Sequence, residues 1–199
     1  RLENMLKYIN INIIIIIITA LNSTAQNNIL STAKKYISSD FSKLIFVSIK
    51  NQKMYYIEDD KIINIFTISS SKYGTGNKSG SNKTPLGLHK IKSKHGEKTP
   101  KNGRMIGRSF KGEIAKIYTD LSKSETDDIT SRIFWLEGLE KGINNGTGID
   151  SYKRYIYIHG TSEEGRLGLP ASHGCIRMSN KEVIDLYRTI EVGTLVLIL

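Results

Sequence analysis

Across 199 residues the chain carries 29 Lys and Arg against 19 Asp and Glu, a formal charge of +10, and 39% of its residues are hydrophobic. That length and content suit one domain with a real core, and nothing points to disorder. The charge favours an anionic partner, whether nucleic acid, a membrane surface or an acidic wall polymer, but no run of five basic residues, no zinc-finger spacing and no basic helical face is present, which argues against nucleic acid.

Residues 1–25 have the layout of an export leader, with Met5 placed as an initiator. Lys7 gives a positive flank, Ile13 to Leu21 an apolar run broken by Thr19, and Ser23-Thr24-Ala25 a small-residue cleavage site. The run falls short of the roughly 20 residues a membrane span needs, so cleavage is the first expectation and an uncleaved anchor the second; membrane contact is confined to this segment. Gln26 to Asp40 is a linker or short helix, with a weak apolar pattern at Ile29, Leu30, Ala33 and Ile37. The domain proper starts near Phe41 and runs to Leu199.

Leu44 to Ile49, Lys53 to Glu58 and Ile62 to Ser69 are strand-like runs separated by polar turns, which predicts a three-stranded meander. Ser70 to Lys83, rich in Gly, Ser, Lys and Asn, is expected as an exposed, mobile loop; its Gly74-Thr75-Gly76 lacks the spacing of a phosphate-cradling loop. Thr84-Pro85-Leu86-Gly87 reads as a turn into a strand from Leu88 to Ile91, followed by a polar loop from Ser93 to Gly103. His89 and His95 fall in this basic stretch and are expected as solvated surface. Met105 to Tyr118 reads as irregular strand, Asp120 to Asp128 as acidic loop or helical turn, Ser131 to Glu137 as a buried strand and Gly138 to Ser151 as loop. Tyr155 to Ile158 are strand formers that leave His159 at a strand end. Ser179 and Glu182 make a capping-box pattern for a helix with Val183, Ile184, Leu186, Tyr187 and Ile190 on its apolar face. Gly193 ends that pattern and Thr194 to Leu199 closes the chain as a strand. About eight strands and one main helix argue a mainly β fold, a mixed sandwich or open barrel.

The chemistry concentrates in Tyr155 to Met178, YIYIHGTSEEGRLGLPASHGCIRM, which holds Cys175, the only cysteine, and two of four histidines, His159 and His173. One cysteine cannot form an internal disulfide, and an exported unpaired thiol is a liability unless buried or used. A lone cysteine is commonly a packed small hydrophobe, but Ser172-His173-Gly174 before it and Arg177 after it do not make an apolar core. The sequence places Cys175 in the turn just before the helix. A thiol attacks as thiolate, so a base must take its proton. His173 is only two residues away and a turn at Gly174 can point it elsewhere, whereas His159 arrives from a separate strand end, as the base of a triad does. Gly174 would let backbone N–H groups turn toward a developing oxyanion, assisted by the helix N-terminus. The competing reading is a zinc site made by His159, His173 and Cys175; His-Gly-Cys is not a usual ligand spacing, so no metal and no cofactor is expected.

Ser172-His173-Gly174-Cys175-Ile176-Arg177-Met178, with His159-Gly160 sixteen positions before the cysteine, resembles the catalytic motif of the L,D-transpeptidase family of cell-wall enzymes, the YkuD-like domain. The similarity extends through Lys83-Thr84-Pro85-Leu86-Gly87 and Arg132 to Gly160. The resemblance implies a mostly β catalytic domain and a cysteine acyltransferase acting on peptidoglycan stem peptides; the leader adds the expectation of export to the periplasm or cell wall. The resemblance also implies Cys175 as nucleophile, His159 as base, the Gly160 carbonyl as the group orienting it, and His173, Gly174 and the Cys175 N–H along the oxyanion site. Ser172 and Arg177 are expected on the substrate, Arg177 at a carboxylate. Family members also carry serine after the base histidine, so Gly160 departs from that variant. Water in place of an amine acceptor makes the same chemistry an L,D-carboxypeptidase, and a silent wall-binding module is the reading from another class.

Overall fold

Strong β formers in alternation set the architecture of the computed structural model, which describes residues 27–37 and 41–199. The leader and its cleavage site lie outside the described residues. Residues 27–36 form a helix, α1. The remainder concerns Phe41–Leu199, a unit in itself. Among the described residues no helix is long and apolar enough to cross a membrane.

The expected meander is present as β1 (Lys43–Ser48), β2 (Lys53–Glu58) and β3 (Lys61–Thr67). Asp59 and Asp60, with φ of 46° and 60°, form the two-residue turn between β2 and β3; aspartate tolerates the left-handed region this turn requires. Then follow β4 (Gly87–His95), β5 (Gly103–Ile106), β6 (Ser109–Ile114), β7 (Ile129–Gly138), β8 (Tyr157–Thr161), β9 (Ile176–Met178), α2 (Asn180–Thr189) and β10 (Leu195–Ile198). One mixed sheet runs β3-β2-β1-β10-β4-β7, where it branches to the β5–β6 hairpin and to β8 and β9. Most pairs are antiparallel; β1 with β10 and β8 with β9 are parallel. Beyond β3, Ser69 exchanges backbone hydrogen bonds of 3.0 and 2.9 Å with Arg177 of β9, which joins the two ends of the sheet. The architecture is therefore mainly β and barrel-like, as expected, with ten strands among the described residues rather than the eight expected.

The principal core is filled from alternate positions of these strands: Ile45 and Val47, Met54 and Tyr56, Phe134 and Leu136, Ile158, Ile176 and Met178, Val196 and Ile198. Val183, Leu186 and Ile190 cover it from α2, whereas Ile184 and Tyr187 are only half-buried. The capping box at the start of α2 is formed, with the Glu182 N–H donating to Ser179 Oγ at 3.3 Å and Ser179 Oγ donating to Glu182 Oε2 at 2.7 Å. The Asn180 side chain is buried, accepting from the Thr130 and Ser131 hydroxyls at 2.7 and 2.6 Å and donating to the Thr161 carbonyl at 2.8 Å.

Several expectations are corrected. The strand at Leu88 extends through Ser93 to His95 because Ser93, Lys94 and His95 pair with Trp135, Phe134 and Ile133 of β7. His89 is not on the surface: it alternates inward with Ile91 and is fully buried, and His95 is half-buried beside Trp135, ring centroids 6.1 Å apart. Burial is tolerated at His89 because both ring nitrogens are partnered, Nδ1 with the Gly87 carbonyl and Nε2 with Ser151 Oγ, each at 2.9 Å. Loss of solvent pulls its pKa down to about 4. The irregular strand expected over Met105 to Tyr118 takes the form of the β5–β6 hairpin, with a register shift between Gly103 and Met105. The loop from Ser70 to Lys83 is not wholly exposed either, since Ser70 and Ser71 are buried.

Candidate active site

Two adjacent parallel strands position the candidate residues. Ile158 and Gly160 of β8 lie opposite Ile176 and Met178 of β9, and His159 lies opposite Arg177. Ile158, Ile176 and Met178 belong to the principal core. Side chains alternate along a strand, so Tyr157, His159, Cys175 and Arg177 share the other face. There Cys175 packs against a smaller cluster of Met105, Ile133, Trp135 and Tyr157. Its sulfur receives the Tyr157 N–H at 3.4 Å and reaches the Tyr155 carbonyl at 3.4 Å. The turn holding Cys175 leads into β9, not directly into α2 as expected, and the N-terminus of α2 is occupied by Glu164, whose Oε1 accepts from the Asn180 N–H at 2.7 Å.

His159 is 2% exposed. Its Nδ1 meets the Gly160 carbonyl at 2.7 Å. A carbonyl only accepts, so Nδ1 carries the proton and Nε2 is the basic nitrogen. Burial pulls the imidazole down to about 4 against the opposing effects of that carbonyl and of Asp127. Gly160 admits no side chain, because a Cβ there would stand 2.7 Å from both Asn180 Oδ1 and the Thr130 carbonyl; the buried Asn180 fills the space a serine would need. Cys175 is half-buried. Its desolvation pushes the thiol up to about 12, offset in part by the Tyr157 N–H and by the charges of Arg177 and Arg154. Both shifts favour the neutral forms, thiol and imidazole.

Ser172 holds the turn rather than a substrate. It is 1% exposed, its Oγ donates to the Cys175 carbonyl at 2.6 Å and it accepts from the Gly174 N–H at 3.2 Å. The Gly174 N–H is thereby committed within the turn instead of facing an oxyanion. Gly174 itself has φ 126°, a conformation glycine adopts readily. The turn is anchored from below, where the Ala171 and Ser172 N–H groups donate to the Ser70 carbonyl at 2.8 and 2.9 Å.

Arg177, expected at a substrate carboxylate, is engaged by two carboxylates of the protein. It is 1% exposed, with Nη1 donating to Glu163 Oε2 at 2.7 Å and Nη2 bonded to Asp127 Oδ1. Both carboxylates are already in place, so no substrate carboxylate is needed to neutralise it. Burial alone would raise Asp127, but Arg177 and His173 hold it below the usual carboxylate range; Glu163 is likewise held down, against its burial, by the Ser124 N–H and Arg177. His173 points toward Asp127, Nδ1 to Oδ2 at 2.5 Å, and lies beside the Tyr73 ring with centroids 5.8 Å apart. Asp127 and Glu163 are the site residues that sequence reasoning missed. Asp127 sits in a polar loop with no local pattern, and Glu163 carried one signal, its position four residues after His159. Among the described residues no three His, Cys, Asp or Glu side chains are gathered to hold a metal ion.

The family model for the YkuD L,D-transpeptidase catalytic domain matches residues 42–198. The chain belongs to the L,D-transpeptidase catalytic-domain family. Two Bacillus subtilis (strain 168) proteins, YqjB and YkuD, both named as inferred L,D-transpeptidases, are 58% identical over 45 residues and 46% identical over 46 residues. Each match spans 23% of this L,D-transpeptidase family member, and 26% and 28% of those relatives. Among solved structures, an L,D-transpeptidase from Xylanimonas cellulosilytica is similar at 21% identity and TM-score 0.47, covering 82% of this chain and 63% of that one. An L,D-transpeptidase from Mycobacterium smegmatis is similar at 17% identity and TM-score 0.48, covering 79% and 58%.

Proposed function

We propose that this L,D-transpeptidase family member is a cysteine acyltransferase of peptidoglycan stem peptides, working outside the cytoplasm in the periplasm or cell wall. The observation that carries the reading is the seat of Cys175 Sγ against the Tyr157 N–H of β8 at 3.4 Å, on the strand that carries His159, with the Gly160 carbonyl fixing the imidazole tautomer at 2.7 Å. The fixed tautomer leaves Nε2 to take the thiol proton as Sγ attacks the carbonyl of an L-centred third residue. The bond to the terminal D-alanine breaks, its nitrogen takes the proton back from His159, and a thioester remains. An amine of a second stem then gives its proton to His159 and takes the acyl group, and the sulfur leaves and is reprotonated. Because the Gly174 N–H is held by Ser172, the oxyanion donor in this scheme is the Cys175 N–H.

Incubation with a stem tetrapeptide, followed by mass analysis of the products, tests the reading. Cross-linked dimer is expected. Tripeptide alone would assign the acceptor as water, and an unchanged tetrapeptide would overturn the enzymatic reading in favour of a wall-binding module.

A further inference from the structure

Arg177 is neutralised by Asp127 and Glu163, so its guanidinium is already committed to protein carboxylates. Arg154 spends its N–H groups on the Gly76 and Lys83 carbonyls at 3.2 and 2.6 Å, bracing the loop after β3. Arg108 is different. Among the described residues its guanidinium makes one hydrogen bond, Nη1 to Tyr157 Oη at 3.3 Å, and no ion pair. It lies 4.4 Å from the ring centre of Trp135.

Arg108 is also in an unusual backbone state. Gly107 and Arg108, φ 58° and 66°, form the two-residue turn between β5 and β6, a turn that favours asparagine or glycine because both positions are left-handed. An arginine there costs backbone energy, and strain of this kind persists where the surroundings hold the residue for a purpose. Here cation–π contact and the Tyr157 hydroxyl aim the side chain across the aromatic surface next to Cys175: Tyr157 bonds Arg108 through its hydroxyl and the sulfur through its backbone N–H. Tyr152 stacks on Trp135 at 4.0 Å and Tyr155, 57% exposed, at 5.6 Å. The result is a partly open aromatic floor with the nucleophile beside it and an unpaired guanidinium above it.

We propose that Arg108 determines donor specificity by receiving a carboxylate of the acyl donor, an inference that rests on the function proposed above. The fork of the guanidinium suits a planar carboxylate, and the aromatic floor takes the apolar part of the peptide. The carboxylate comes either from the terminal residue or from the side chain of the third residue.

The test measures acylation of Cys175 by intact mass, at donor concentrations below saturation, in wild type, Arg108→Gly and Arg108→Lys. Glycine removes the guanidinium while suiting the left-handed turn position, so the hairpin is retained. Three tetrapeptide donors are compared: both carboxylates free, the terminal one amidated, and the third-residue side-chain carboxylate amidated. With the free donor, Arg108→Gly should be acylated about 10- to 100-fold more slowly, the range for losing a charge-assisted hydrogen bond, with Arg108→Lys between. One of the two amidations should slow wild type by a similar factor and leave Arg108→Gly unaffected; which one names the carboxylate. Equal acylation of Arg108→Gly and wild type, or amidation penalties that persist in Arg108→Gly, would overturn the role of Arg108 alone. Failure of every donor to acylate wild type would overturn the proposed function and this inference with it.

Discussion

His159 and Arg177 are register partners across the parallel pair β8–β9. Cys175, two residues before Arg177 on the same face, lies beside the strand that carries the imidazole. Arg177 is locked behind it by two carboxylates, one of which, Asp127, also holds His173.

Removing one partner of a buried ion pair leaves an uncompensated charge, at a cost of about 3–5 kcal/mol. Arg177→Ala should therefore lower unfolding stability by about that amount, measured by denaturant titration at neutral pH, and any activity lost should follow the lost fold. An Arg177→Ala protein of wild-type stability with weakened donor binding alone would return Arg177 to the substrate.

The two histidines should separate in function. His159→Ala is expected to slow acylation by roughly 10²- to 10⁴-fold, the range for loss of a general base. His173→Ala should leave alkylation of Cys175 by a small reagent near the wild-type rate, since its Nδ1 is engaged by Asp127 rather than by the sulfur. Alkylation rates of both variants against pH check this assignment.

A neutral resting pair has its own pH signature. With the thiol pushed up to about 12 and the imidazole down to about 4, the rate of iodoacetamide alkylation should climb continuously from pH 6 to pH 10. A plateau starting near pH 6 that disappears in His159→Ala would reveal a preformed thiolate–imidazolium pair instead.

Stability should also fall on mild acidification. His89 and His159 both have folded pKa values of about 4, below the roughly 6.5 of an unfolded histidine. Between those values the unfolded chain binds more protons, so stability rises with pH and is lost as pH falls through the window, by up to roughly 1.4 kcal/mol per pH unit for each histidine. Denaturant titrations at pH 7, 6 and 5 read the slope, and His89→Gln should remove about half of it.

The strand end at His159 and the turn at Cys175 were legible because strand propensity before His159 and the Ser-His-Gly-Cys turn are local signals. The capping box at Ser179 was legible for the same reason. What was not legible depends on pairing between distant segments. His89 looks like one residue of a basic surface stretch until the pairing of β4 with β10 and β7 buries it, and β9 is too short to announce itself. The burial of Arg177 did carry a faint trace, its place between Ile176 and Met178, both in the core. Its partners Asp127 and Glu163 lie 50 and 14 residues away, and only the fold brings them together. Arg108 falls in a stretch that reads as irregular strand until its left-handed φ and its contact with Trp135 are seen.

Intact-mass analysis after exposure to a stem tetrapeptide tests the central claim most directly. Wild type should gain the mass of the tetrapeptide less its terminal D-alanine, as a thioester labile to hydroxylamine, while Cys175→Ala should gain nothing. Turnover of the tetrapeptide by Cys175→Ala, or an adduct of that mass on it, would contradict the assignment of Cys175 as the nucleophile.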